Sequence, residues 1–152
     1  NNSKEASNTY SGIKLDDAGT GNTDNIIAGN RIYDDQGSKT QKYGIVEADN
    51  GDYNTIMTNN VRGNASGGIS WVGGNTIVRD NLGCVTENSG TAYGANPITV
   101  PHGLVETPTK VTLGAKALQP YALGWNADAT NITIYHNAAG ALYVSWDAKY
   151  RP

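Results

Sequence analysis

Across 152 residues the chain carries 19 glycines, no phenylalanine, 16% charged residues and a formal net charge of −3; Gly and the abundant Asn are poor helix formers and natural turn residues, which points to an all-β chain rich in turns. The mild acidity argues against a nucleic-acid partner, which would demand a basic stripe, and no apolar run nears the ~20 residues of a membrane-spanning helix, so no membrane insertion is expected. The lone Cys84 supports neither an internal disulfide nor a cysteine zinc site, and a small buried hydrophobe is its expected role.

In chain order, the first pattern is a repeat. Asn25-Ile-Ile-Ala-Gly-Asn-Arg-Ile32 recurs as Asn54-Thr-Ile-Met-Thr-Asn-Asn-Val61 and as Asn75-Thr-Ile-Val-Arg-Asp-Asn-Leu82. An ungapped alignment pairs Asn25/Asn54/Asn75, Ile27/Ile56/Ile77, Asn30/Asn59/Asp80 and Ile32/Val61/Leu82. A Gly-Ile pair precedes each copy, at Gly12-Ile13, Gly44-Ile45 and Gly68-Ile69. Two short strands per unit, each with an inward Ile, cannot bury their apolar face alone. Stacked in parallel at the ~4.8 Å strand spacing, they bury it against one another. The Asn30/Asn59/Asp80 column is expected at a turn, with side chains bonding one another and the backbone. No segment between the strands has the length or period of a helix. The spacing predicts a parallel β-helix of about three rungs over residues 8–85.

From Cys84 the repeat stops. Residues 86–96 are polar and Gly-containing and read as a linker. Over residues 97–152 the strand candidates are Ile98–Val100, Lys110–Ala115, Tyr121–Trp125, Asn131–His136 and Ala141–Asp147. Apolar side chains alternate along them, with Val111/Leu113/Ala115, Ile132/Ile134 and Leu142/Val144/Trp146 each on one face. The pattern predicts a small antiparallel β-sandwich with one wet face. At about 55 residues it sits near the lower limit of independent stability, which favours self-association or packing on a neighbour.

The repeats resemble the right-handed parallel β-helix of the pectate-lyase-like superfamily. Four segments of the C-terminal part, Ile98-Thr-Val-Pro-His-Gly-Leu104, Thr107-Pro-Thr109, Asp128-Ala-Thr-Asn-Ile-Thr133 and Trp146-Asp-Ala-Lys-Tyr-Arg-Pro152, carry a second likeness. They resemble a module that closes β-helical phage tail-fibre and tailspike proteins and some microbial surface proteins. The fold expected is all-β: a right-handed parallel β-helix, then a small antiparallel β-sandwich that caps it. The resemblance implies the C-terminal fragment of a fibrous virion or cell-surface protein, extracellular, assembling as a homotrimer and touching surface glycan. Three rungs make a stack only ~14 Å tall, so further rungs or a cap are expected upstream. The rival reading is the C-terminal part of a β-helical polysaccharide lyase or glycoside hydrolase, because lyases, hydrolases and adhesins share this fold.

Enzymes of this fold use carboxylates, often with calcium, along one outer face. In the repeat frame Lys14, Val46 and Ser70 form an outward column without a carboxylate. Asp17 and Asp49 share one offset after Gly12 and Gly44; one strand spacing apart, such a pair raises one pKa or recruits a cation. They are the candidate catalytic or calcium pair, against two ordinary turn aspartates. The longest inter-strand loop, residues 34–43, offers Asp34, Asp35, Gln36, Gln41 and Tyr43. Ring, amide and carboxylate together suit a carbohydrate site, against a plain solvated loop. Arg31 and Arg79 are potential anion clamps and read more simply as surface charges. Glu47 aligns with the inward Leu15 and Trp71, so either the strand bends there or a carboxylate is partly buried, and the bend is the simpler expectation. His102 and His136 extend apolar faces and are the candidate metal ligands around a threefold axis, against simple backbone hydrogen bonding. Tyr121, Trp125, Tyr135, Tyr143 and Trp146 exceed what so small a core covers, so an oligomer interface is expected there.

Overall fold

The computed structural model describes residues 8–16, 19 and 21–151, and among them every regular element is a strand. The chain divides after Val85 into two compact units.

The first unit is built from parallel sheets. Strands β1 (Ile13–Leu15), β3 (Tyr43–Glu47) and β5 (Gly67–Ser70) form one, and β2 (Ile26–Ala28), β4 (Thr55–Met57) and β6 (Ile77–Arg79) form another. Bridges Arg31↔Asn60 and Asn60↔Leu82 add a third parallel ladder. The chain visits the three in turn, so each repeat lies beside the next. In the first sheet Ile13, Ile45 and Ile69 stand in register, as the Gly-Ile motif predicts. The glycines of that motif answer a spatial need. A Cβ at Gly12 would overlap Ile32 Cγ2, and at Gly44 and Gly68 it would lie 2.8 and 2.7 Å from Val61 side-chain atoms. Side chains of the third ladder fill the room, so only glycine fits.

The second sheet departs from the ungapped alignment in its third strand. Ile27 pairs with Ile56, but Ile56 pairs with Val78 and not with Ile77. A one-residue slip reverses the faces of a strand: Val78 is buried, while Ile77 is 49% exposed. The turn that follows explains the choice. Gly29, Thr58 and Asp80 share a column with φ of 69°, 55° and 55°, a conformation free to Gly and tolerated by Asp.

The next column, Asn30, Asn59 and Asn81, turns inward as a ladder. Asn59 Oδ1 accepts from Asn30 N (2.9 Å) and Nδ2 (3.1 Å); Asn81 Oδ1 accepts from Asn59 N and Nδ2 (both 3.0 Å). Asn59 Nδ2 also donates to the Ile27 carbonyl and Asn81 Nδ2 to that of Ile56. Each inner position needs an acceptor and a donor on one side chain, which an amide has and a carboxylate lacks. Asn81 therefore takes the place expected of Asp80. Thr76 likewise replaces Asn75 beside Asn54, its Oγ1 accepting from Asn54 N at 3.3 Å.

The expected bend at Glu47 is absent. Glu47 pairs with Leu15 in regular register and is 1% exposed. Its Oε1 accepts from Asn54 Nδ2 (2.7 Å) and Thr76 Oγ1 (2.6 Å), and its Oε2 from Gly73 N (2.8 Å) and Val72 N (3.1 Å). Burial pushes the carboxyl pKa up, but these four hydrogen bonds outweigh it and hold the group below its ordinary value. Cys84 joins the core of this unit, and burial pushes its thiol up to about 11. It is the small buried group expected of it.

The second unit holds two antiparallel sheets. One has the order β7 (Glu87–Gly94), β12 (Leu142–Lys149), β9 (Lys110–Ala115); the other β10 (Leu123–Ala127), β11 (Asn131–His136), β8 (Ile98–Pro101). Ile132 and Ile134 of one sheet and Val144 and Trp146 of the other belong to a single buried core. β8, β9, β11 and β12 fall on predicted segments, whereas β10 starts two residues later than expected. The linker assigned to residues 86–96 is a strand instead: β7 pairs along its whole length with β12, from Glu87↔Lys149 to Gly94↔Leu142. Its inward positions are small because Trp146 lies on them. A Cβ at Gly90 would sit 2.9 Å from the indole. An edge strand that clears space for a large ring has the composition of a linker.

Candidate functional site

The outward column of the first parallel sheet is the starting point. Lys14↔Val46 and Val46↔Ser70 are register partners, and with Thr9, Tyr10, Ser11, Lys42 and Tyr43 they line a cleft of about 560 Å³. Ligand clefts span roughly 300–1,000 Å³. Lys42 N donates to the Tyr10 carbonyl at 2.8 Å, which runs the segments upstream of β1 and β3 side by side. Lys42 Nζ lies 5.8 Å from the Tyr43 ring centroid, within cation–π range. Lys14 pairs with Asp16 at 2.9 Å, both well exposed, so the pair holds the ammonium loosely. Two phenol rings, two ammonium groups and several hydroxyls offer stacking and hydrogen bonds to a saccharide. Among the described residues the lining contains no carboxylate.

The five loop residues proposed for carbohydrate do not converge. Asp34 is buried, and its carboxylate closes the loop: Oδ1 accepts from Gln36 N (3.0 Å), Oδ2 from Thr40 N (2.6 Å) and Gln41 N (2.9 Å). Gln41 is buried too, donating from Nε2 to Asn64 Oδ1 at 2.7 Å. These two staple the loop and present nothing to a ligand from their side-chain ends. Asp35 and Gln36 are exposed and line neither this cleft nor the smaller one near Arg31. Tyr43 alone of the five reaches the cleft.

Of the candidate catalytic or calcium pair, Asp17 lies outside the described residues, and Asp49 occupies an exposed turn with φ 51°. His102 is fully buried, with Nδ1 accepting from Leu104 N and Nε2 on the Asp128 carbonyl, each at 3.0 Å. Both ring nitrogens are therefore engaged with backbone groups, and neither is open to a metal. His136 places Nε2 on the Gly94 carbonyl at 3.2 Å, and its buried Nδ1 has no hydrogen-bond partner. Among the described residues no three His, Cys, Asp or Glu side chains gather as metal ligands.

The interface candidates separate into two kinds. Trp146 is buried over Gly90, and Tyr121 is half-buried against the same core. Both belong to the core of their own unit. Trp125, Tyr135 and Tyr143 are exposed, and Tyr143 stacks on Tyr93 with ring centroids 4.3 Å apart.

The sequence reading missed Tyr10 and Lys42 of the cleft, though extending the Gly-Ile register two residues upstream would have aligned them. It missed Tyr93 because that ring lay within the supposed linker. Compared with known proteins, the chain matches no family model and no curated protein sequence.

Proposed function

We propose that this chain forms part of a fibrous, self-assembling surface protein. In this reading the parallel unit is a right-handed β-helical shaft, and the antiparallel unit is a β-sandwich that drives homotrimer assembly. In the same reading the cleft on the β1–β3–β5 sheet holds a surface glycan, and the protein works outside the cell or on a virion.

The observation that carries the reading is the number of exposed rings on the antiparallel unit, Tyr93 stacked on Tyr143 in one sheet and Trp125 and Tyr135 in the other. Trp125, Tyr135, Tyr143 and Tyr93 are 40%, 44%, 52% and 60% exposed. Tyr and Trp bury large area at low entropic cost, which is why interfaces favour them. Closed cyclic symmetry covers such rings without leaving an open patch that propagates. The parallel unit adds the exposed Ile26 and Ile77, which flank Thr55 in one register column.

Light scattering on the purified protein at micromolar concentration tests the assembly. A particle near three times the 16.0 kDa chain mass is expected, and Y135A/Y143A together should shift it toward monomer. A 16.0 kDa particle for the parent would overturn the proposal. For the glycan, tyrosine fluorescence during titration with cell-surface polysaccharide should respond in the parent and fail in a Y43A/K42A variant.

A further inference from the structure

A second cleft lies on the third ladder of the parallel unit, where the reading above leaves it unused. Alternation sets Arg31 and Tyr33 outward on either side of Ile32, and Asn60 and Arg62 outward on either side of the buried Val61. The bridge Arg31↔Asn60 brings the two pairs one strand spacing apart, ~4.8 Å. Together with Asp34 and Gly63 they line a cleft of about 320 Å³.

Neutral groups hold both guanidinium groups at this rim. Arg31 Nη2 donates to Tyr33 Oη at 3.1 Å, and its Cζ sits 5.3 Å from that ring's centroid. Arg62 Nε points at Asn60 Oδ1, 3.4 Å away. Among the described residues neither guanidinium pairs with a carboxylate. A third cation adjoins them: Lys39 Nζ donates to the Asp34 carbonyl, and a Cβ built on Gly63 would lie 3.6 Å from it. Among the described residues the one carboxylate lining the cleft, Asp34, already accepts the N–H groups of Gln36, Thr40 and Gln41. Gly63, at φ 76°, keeps the floor bare, since a side chain there would press on the Asp34 carbonyl at 2.9 Å.

We infer that this cleft binds an oxyanion ester, a sulfate or phosphate monoester on a small hydroxylated molecule. Arg31 and Arg62 grip the ester oxygens, and the Tyr33 ring supports the carrier. A guanidinium presents a planar fork of donors matched to such groups, and charge-assisted pairs of this kind are the stronger hydrogen bonds. Two unpaired guanidinium groups facing one cavity repel each other until an anion lies between them. On a chain of net charge −3, this is a local reversal of sign. The site stands apart from the Tyr43 cleft and holds whether or not that cleft takes glycan.

The test follows the arginine Nε–H resonances by NMR during titration with glucose 6-sulfate, glucose 6-phosphate and glucose. Both esters should shift the Arg31 and Arg62 signals and glucose should not, with binding weakening as salt rises. The ester that binds more tightly identifies the natural group. An R31Q/R62Q variant should lose affinity at least about ten-fold, with unchanged melting because both positions are exposed. R79Q and K14Q/K42Q should stay within about two-fold of the parent. Retained affinity in R31Q/R62Q, equal shifts from plain glucose, or no shift with either ester at about 10 mM would each overturn the inference. Loss of binding in K14Q/K42Q instead would move the anion to the first cleft and equally overturn it.

Discussion

The two units of this protein fix their strands by different means. The parallel unit buries Asp34, Gln41, Glu47, Asn54, Asn59, Thr76 and Asn81, whereas the antiparallel unit buries only Thr86, His102 and His136 among its polar residues. The first aligns its rungs by side chains that donate to one strand while accepting from the next. The second aligns its strands by apolar alternation, closed over Trp146. Buried polar networks stabilise when every member is satisfied and fail sharply when one is removed. The parallel unit should therefore be the more sensitive to polar substitutions, and the antiparallel unit to changes of shape.

Glu47→Ala and Ile56→Ala should have the two largest effects. Glu47→Ala strands the Val72 and Gly73 N–H groups and the Thr76 hydroxyl and takes one of two acceptors from the Asn54 amide, which keeps the Asn22 carbonyl, at ~1 kcal/mol or more each. A loss of about 4 kcal/mol in denaturant unfolding is expected. By contrast Glu87→Ala, which breaks only exposed pairs to Lys149 and Arg151, should cost under ~1 kcal/mol. Next, Ile56→Ala should cost about 2–5 kcal/mol as a buried cavity, whereas Ile77→Ala should stay within about 1 kcal/mol. Equal losses would mean that the third rung is not slipped. Gly90→Ala should cost about 1–3 kcal/mol by overpacking the Trp146 ring. Asn81→Asp, which removes the donor to the Ile56 carbonyl, should cost about 1–3 kcal/mol, while Asp80→Asn is close to neutral.

The smallest effect is a pH dependence. The pKa of Glu47 lies below its ordinary value in the fold, so its stabilisation is fully present above the unfolded pKa and disappears as pH falls through the folded one. Stability should hold steady down to about pH 5 and fall below about pH 4. The Glu47→Ala variant should lose much of that slope. Asp128, held low by the Thr130 and Asn131 N–H groups, is exposed and should contribute less to the antiparallel unit. A slope unchanged in Glu47→Ala would place the titrating group elsewhere.

This contrast also explains which parts of the fold could be read in the amino-acid sequence. Apolar alternation gave β9, β11 and β12 directly, and the Gly-Ile motif gave the register of β1, β3 and β5. The third copy of the Asn motif misled, because Asn75-Thr-Ile matches Asn54-Thr-Ile by letter. The fold instead matches the hydrogen-bonding capacity of Asn81 with that of Asn59. Identity at one position could not reveal a donor requirement at another. For Glu47 the sequence leaves burial and a strand bend side by side, because the four donors that satisfy an inward carboxylate are not visible in it. The clefts were half legible. Lys14, Val46 and Ser70 followed from register, but Tyr10 and Arg62 are brought in by neighbouring rungs outside the aligned motif.

The central claim is that the repeats pair as parallel strands with Val78, not Ile77, next to Ile56. Methyl–methyl NOE spectroscopy on Ile- and Val-labelled protein tests it most directly. The expected result is a continuous chain of contacts from Ile27 to Ile56 to Val78, with the Ile77 methyl groups showing none to Ile56. Strong Ile56–Ile77 contacts and silence between Ile56 and Val78 would contradict it.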